Sequence, residues 1–185
     1  MLLVSIRILE IMSRFIYILM LMLCSMSMSA MNVSENGIKF IQEVEQCSLT
    51  RYWDNDAWSI GYGHHMPTGT HQYKKITKAK ALQLLKQDIK IAEDAANRII
   101  DELKWTPSQE FFDGLVSIIY NCGEGGIKKS VFYQRLMSCR SDSGQVNKAD
   151  YNFTVAAVKN TRIPKNAKYA GIVKERRYKE HKMML

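Results

Sequence analysis

Glu45 and Asp54 are separated by eight residues, and the run that follows, Ser59-Ile60-Gly61-Tyr62-Gly63-His64, contains two glycines that bare its backbone. Two carboxyl groups in unlike settings are what acid–base cleavage of a glycosidic bond requires. One must keep a proton for the leaving oxygen; the other must stay ionised to activate water or to stabilise an oxocarbenium-like state. Glu45 follows apolar Val44 at the end of a helical pattern, where partial burial would favour a protonated carboxyl. Asp54 opens the polar turn "DND", where a carboxylate is expected to stay charged. Ser59 supplies a hydroxyl on a strand facing that turn, and Gly61 and Gly63 let a ligand approach the backbone closely. His64 reads either as a base or as a hydrogen-bonded scaffold group supporting Glu45 or the hairpin. His65 reads as exposed, and Glu43 as a solvated neighbour of the acid. An ordinary helix end followed by a hairpin gives the same acid spacing, so the pair alone decides nothing.

The elements that must position these groups can be traced along the chain. Ser34 caps a short helix in which Ile38, Ile41 and Val44 recur at helical spacing and Glu45 falls in the last turn. "RYW" and "AWSIGYG" form two strands joined by the "DND" turn, and "HHMPTGTHQYKK" follows as a polar loop or a ragged third strand. From Thr77 the apolar residues Leu82, Leu85, Ile89, Ala92, Ala96, Ile99 and Leu103 step by three and four. A helix of about 26 residues is roughly 39 Å long, enough to join two lobes. "TPSQ" predicts the next helix start, with Thr106 as cap, Pro107 first and Gln109 third. The helix through "FFDGLVSIIY" is apolar on nearly every side, as a central buried helix would be, and stops at "NCGEGG". Ser130 caps a helix to about Cys139, and helices follow near Ala149–Lys159 and Tyr169–Met183. Asn121 and Glu124, beside the glycine turn, either line a substrate groove or serve only to cap.

The chain has 185 residues, is 46% hydrophobic and carries a formal charge of +8, which allows one domain with a real core and points to an anionic partner. "KERRYKEHK" is broken by Glu175 and Glu180 and reads as a solvated helix face. Residues 1–30 differ in kind. Arg7 and Arg14 precede an apolar stretch from Phe15 to Cys24 and a Ser- and Met-rich exit ending at Ala30, the order of a secretory leader. Residues 1–30 are therefore expected to be a signal peptide or signal anchor and 31–185 the domain. The domain would then be exported to the periplasm, the cell wall or the medium, or held in the cytoplasm before lysis if translation starts at Met31. The cysteines, Cys24, Cys47, Cys122 and Cys139, have no metal-ligand spacing, and a Cys122–Cys139 disulfide is left open.

Taken together, Glu45, Asp54, Ser59 and "IGYGH" resemble the signature of the phage-type lysozyme (endolysin) family, glycoside hydrolase family 24. "ITKAKALQLLKQDIKIAE" resembles its lobe-linking helix, "TPSQEFFDGLVSIIYNCGEGGIKKS" its central helix and glycine turn, and "YAGIVKERRYKE" its ending. The resemblance implies an α+β, mostly helical, two-lobed fold with a small β lobe, a long linking helix and a helical C-terminal lobe. It implies a muramidase that cuts peptidoglycan between N-acetylmuramic acid and N-acetylglucosamine, with inversion, as a monomer, without metal or cofactor. Glu45 would be the general acid, Asp54 would position or deprotonate water, and Ser59 would stand for a threonine that helps hold it. Asn121 and Glu124 would touch substrate; His64, Gly61 and Gly63 would support the site. Three departures stand out: Gln46 occupies a position usually held by glycine, Ser59 lacks the threonine methyl that restricts its rotamer, and the gap from Asp54 to Ser59 is one residue shorter than in some members of the family.

Other classes compete. A lytic transglycosylase needs the acid but no water-activating aspartate. An inactive wall-binding module would keep the groove and lose the chemistry. A nucleic-acid binder would suit the charge, yet the sequence holds no uninterrupted basic patch or recognised reading motif, so no nucleic acid is expected as partner. Membrane contact is expected only in passing, through the leader.

Overall fold

The computed structural model describes residue 14 and residues 30–54, 57–66, 72–139 and 146–185; apart from Arg14 and Ala30, the leader lies outside them. Helix α1 (Glu35–Glu45) leads into a three-stranded antiparallel sheet of β1 (Ser48–Asp54), β2 (Ala57–Gly61) and β3 (His64–Met66), in that spatial order. Then come α2 (Lys78–Leu103), α3 (Gln109–Lys128), α4 (Val131–Ser138), α5 (Lys148–Ala156), a 3-10 turn (Ala157–Asn160) and α6 (Ala167–Met183). The ragged third strand is β3.

Capping sets the helix starts. The Ser34 hydroxyl accepts from the Gly37 amide at 3.1 Å and the Thr77 hydroxyl from the Lys80 amide at 3.1 Å, so each helix begins where a side chain satisfies an orphan donor. The third start is two residues later than expected. Ser108, not Thr106, is the cap, accepting from the Phe111 amide at 3.2 Å. That choice frees the Gln109 amide to donate to Asp113 at 2.8 Å and to the Asn32 carbonyl at 3.0 Å, contacts that a third-position Gln folded back on its own cap would forgo.

The core runs the length of the linking helix. At its start Ala81, Leu84 and Leu85 pack with Ile60, Tyr62 and Met66 of the β lobe; at its end Ile99, Ile100 and Leu103 join the helical lobe. Helix α3 is central there, as its all-round apolarity required: Phe111, Phe112, Leu115, Val116 and Ile118 are fully buried. The helix breaks at Gly123, whose φ of 69° and ψ of 163° leave the helical region, and resumes to Lys128. Cys47, Cys122 and Cys139 are free thiols, so the disulfide left open by the sequence is not formed. The Cys139 sulfur instead lies 3.1 Å from the Thr154 hydroxyl.

The segment before α1 is pinned to the domain by polar contacts. Met31 N donates to Asn97 Oδ1 at 2.8 Å, Val33 N to Glu93 Oε1 at 2.7 Å and Ser34 N to Asp113 Oδ1 at 2.9 Å. The Ser34 hydroxyl also bonds Asp113. These bonds fix where α1 starts and therefore where it delivers Glu45, eleven residues on.

Gly37 sits against this clamp. A methyl group there would lie 2.6 Å from Val33 Cγ2 and 2.7 Å from Asp113 Cγ, and Asp113 is held by Ser34 and Gln109. Overpacking costs about 1–3 kcal/mol, more than the ~1 kcal/mol that alanine gains in helix propensity. Gly37→Ala should therefore lower the urea midpoint with an unchanged m-value, although the same change on an open helix face would raise it.

Candidate active site

Glu45 is the last residue of α1, and the chain must turn sharply after it to begin β1 only three residues later. Gln46 makes that turn with φ 58° and ψ 179°. This is a region essentially reserved for glycine, and another residue there costs about 1–3 kcal/mol. The departure noted at Gln46 is thus a strained backbone directly behind the candidate acid. On the other side, Gly63 (φ 90°) passes beneath the carboxylate: a side chain there would begin 3.7 Å from Glu45 Oε2.

What holds Glu45 is not apolar burial, as the sequence suggested, but a guanidinium. Arg176 Nη1 bonds Glu45 Oε1. Arg176 is itself buried, with Nε donating to Glu180 Oε1 at 2.9 Å and Nη2 to the Ser117 carbonyl at 3.0 Å. Glu180, fully buried, also accepts from the Ser117 hydroxyl at 2.7 Å and from Arg177 Nη1 at 2.5 Å. Arg177, also fully buried, donates Nε to the Thr161 carbonyl at 2.8 Å and Nη2 to Asn121 Oδ1 at 2.7 Å. Two cations and two anions thus close one network. Burial works against the Arg176 charge, but Glu45 and Glu180 more than compensate, and its pKa is held above the ordinary value. The "KERRYKEHK" segment, read as a solvated face, therefore contributes three buried charges. Arg176 and Arg177 precede Glu180 by four and three residues, so all three meet on one helix face, a spacing that a solvated face shows equally well.

Asp54 ends β1. The register pairs Asp54 with Ala57, Trp53 with Trp58 and Tyr52 with Ser59, so Tyr52, Asp54 and Ser59 share one face of the sheet. Ser59 is buried there. The Tyr52 phenol is pushed up in pKa by burial first, then by Asp54, then by Glu45, so both carboxylates act on one phenol. Tyr52 was missed in the sequence because an aromatic in a strand reads as packing.

His64 is a scaffold group. Its Nδ1 lies 2.8 Å from Asp88 Oδ2 on α2, so it ties β3 to the linking helix, with Asp88 as partner where Glu45 or the hairpin was expected. Gly61 has φ 68°, and a methyl group there would lie 3.4 Å from Ala81 Cβ of the same helix. Beyond this joint lies an open groove of about 380 Å³. Its walls include Gly63 and His65 from the β lobe, Asp88 and Arg98 from α2, and Tyr120, Gly123 and Glu124 from α3. Burial, then Glu45 and Asp88, raise the Tyr120 phenol, which donates to the Tyr62 carbonyl at 2.9 Å. A second hollow of about 260 Å³ lies against Glu43, Glu45, Gln46, Asn121 and Arg176. Asn121 and Glu124 therefore line different hollows. Asn121 is tied to Arg177, while Glu124 faces Arg98 at 2.6 Å and Lys128 at 2.9 Å. Among the described residues no three His, Cys, Asp or Glu side chains gather as a metal site.

The family model for phage lysozyme matches residues 42–180, a span running from just before Glu45 to Glu180. The endolysin of Bacillus phage B103 is 31% identical over 149 residues, 79% of this chain and 51% of that protein. The chain thus spans about half the length of that curated relative. An endolysin from Escherichia coli O157:H7 phage FAHEc1 superposes with a TM-score of 0.65 at 25% identity, covering 84% of this chain and 94% of that one. The muramidase domain of SpmX from Asticaccaulis excentricus has the same fold, with a TM-score of 0.67 at 21% identity over 83% and 97% of the two chains.

Two outcomes follow from the site geometry. Gln46→Gly should raise stability by about 1 kcal/mol in equilibrium denaturation, because relief of strain outweighs the entropy glycine adds to the unfolded chain. Arg98 and then Lys128 lower the Glu124 carboxyl to about 2 from its ordinary 4.5. The stability this contributes is complete above about pH 4.5 and is lost as pH falls toward 2. Glu124→Gln should flatten that acid limb of the stability–pH curve and leave the neutral plateau's slope unchanged.

Proposed function

The chain belongs to the phage lysozyme family, and we propose that it hydrolyses peptidoglycan as an N-acetylmuramidase, with Glu45 as general acid and Asp54 as the group that positions or deprotonates water. One observation carries this reading: Glu45 is held by Arg176 through one oxygen, its other oxygen lies over Gly63, and it lines a hollow of about 260 Å³ while Gly63 beside it lines the open groove. Oε1 is occupied by the guanidinium, so Oε2 is the atom from which a proton reaches the leaving glycosidic oxygen. Asp54 shares a sheet face with Tyr52 and Ser59, and attack by its water from the side opposite Glu45 gives inversion. Tyr120 and Arg98 on the groove wall, and Glu124 beside them, offer polar contacts to a sugar strand.

Hydrolysis is favoured over transglycosylation by Asp54 itself, since internal attack by the muramyl hydroxyl has no use for a second carboxylate. The catalytic unit is residues 31–185, working as a monomer on the anionic wall. Residues 1–30, with their basic, apolar and small-residue order, are an export leader that delivers it there.

Purified peptidoglycan should be cleared by the chain. Glu45→Gln should lose about a hundredfold or more of the rate while the fold persists, as expected for removal of a general acid. Mass spectrometry of the products should give reducing muramic ends. Anhydromuramic ends would replace hydrolysis by transglycosylation, and equal clearing by the Glu45→Gln chain would remove the acid assignment.

A further inference from the structure

The face of the sheet turned away from Asp54 has a use that the catalytic reading leaves unassigned. Strand alternation puts Arg51, Trp53 and Trp58 on that face. Trp53 is 56% exposed and meets Trp58 edge to face, with ring centroids 5.4 Å apart. The Arg51 guanidinium lies 4.4 Å over the Trp58 ring. Along the outer edge of β1 runs the segment ending at Ile76, joined to it by Arg51 N to the Lys74 carbonyl (3.1 Å) and Ile76 N to the Leu49 carbonyl (2.9 Å). In that pairing exposed Lys74 lies opposite Arg51 and shares its face, while Lys75 lies opposite Thr50 and turns to the other side; the first turn of α2 adds Lys78 and Lys80.

Residues 57–87 contain five lysines and no Asp or Glu. Among the described residues Arg51, Lys74, Lys75 and Lys78 form no ion pair. Lysines in a helix's first turn are also opposed by the helix dipole, and α2 has no acid there. A basic edge without ion pairs among the described residues, beside exposed Trp53 and half-buried Trp58, is what an anionic ligand with ring faces would fit.

We propose that this face, Arg51, Trp53 and Trp58 with Lys74 and the neighbouring Lys78, is a non-catalytic docking surface for a second glycan strand of the peptidoglycan on which the enzyme acts. The inference rests on the muramidase reading and extends it. The exposed indole stacks on the C–H face of a pyranose ring, and the lysines meet the carboxylates of the stem peptides. A phosphodiester polymer satisfies the lysines but supplies few rings for the indoles. A nucleic acid supplies both rings and charge and is the rival occupant. The surface holds the enzyme to the wall between cuts and leaves the chemistry at Glu45 untouched.

The test uses the full chain carrying Glu45→Gln, sedimented with purified peptidoglycan sacculi stripped of covalently attached phosphate polymers. Adding Lys74→Glu and Lys78→Glu should weaken binding about tenfold at low salt, with the difference vanishing near ~0.5 M salt, where charges are screened. Adding Trp53→Ala instead should weaken binding at both salts. With Glu45 intact, the double lysine variant should cleave a soluble muramyl tetrasaccharide within about twofold of the parent. Unchanged sedimentation of both variants overturns the proposal. So does a lysine effect seen only on unstripped walls, or tighter lysine-dependent binding to a single-stranded oligonucleotide than to sacculi. If the Glu45 chain fails to cleave the tetrasaccharide, the muramidase reading falls, while the sedimentation result decides the docking surface by itself.

Discussion

The site depends on a guanidinium that has been taken out of water. Removing a charge from solvent costs several kcal/mol, and an isolated buried charge is not tolerated. Arg176 is buried only because it meets Glu45 on one side, Glu180 on another and the Ser117 carbonyl on a third. Glu180 in turn needs Arg177 and the Ser117 hydroxyl, and Arg177 needs the Thr161 carbonyl and Asn121. Each member is satisfied by the next, and the open end of the chain of contacts is the outer oxygen of Glu45. A network of this kind has few alternative arrangements, because moving one member strands its neighbour. Its contribution is therefore position more than net stability: a hydrophobic cluster of equal volume could fill the space but would not aim a carboxylate.

This constraint explains the division of labour between the lobes. Glu45 belongs to α1, yet its orientation is decided by α6, 131 residues later in the chain. The first and last helices are brought together by α3, whose buried Ser117 bonds both Arg176 and Glu180. The opposing wall is held by different means. His64 bridges to Asp88, and Gly61 packs near Ala81, so the sheet is tied to α2. The open groove lies between the β lobe, α2 and α3, whereas the hollow against Glu45 is bounded by α1, by Asn121 of α3 and by α6.

Much of this was legible in the sequence wherever the determinant was local. Ser34 and Thr77 announced helix starts because a capping hydroxyl acts over three residues. The spacing of Leu85, Ile89, Ala92, Ala96 and Ile99 gave α2 because periodicity is a property of one helix. Glu45, Asp54 and the Gly-Tyr-Gly run were recognisable as a motif, and Gly61 and Gly63 do adopt the positive φ that only glycine takes without strain. What was hidden depends on partners distant in sequence. Arg176, Arg177 and Glu180 have the alternating signs of an exposed helix, and nothing within α6 states that Ser117, Asn121 and Thr161 will enclose them. The Asp88 partner of His64 was hidden for the same reason. Thr106 and Ser108 were both competent caps, and the choice between them was made by Asn32, far away in the chain.

Gln46 joins these two kinds of information. Its sequence shows only a side chain where the resemblance led to an expectation of glycine; its φ of 58° shows a turn of the kind that glycine favours. The backbone has not relaxed toward what glutamine prefers, because both ends are held: Glu45 by Arg176, and β1 by its pairing with β2 and by the bridge from Thr50 to Lys75. Strain of about 1–3 kcal/mol at one residue is small beside the cost of stranding a buried ion pair, roughly 3–5 kcal/mol, so the turn yields and the carboxylate does not. The same ordering of magnitudes explains why a substitution one residue from the acid is tolerated. In this fold the position of Glu45 is set from behind by charge, and the loop that follows it conforms.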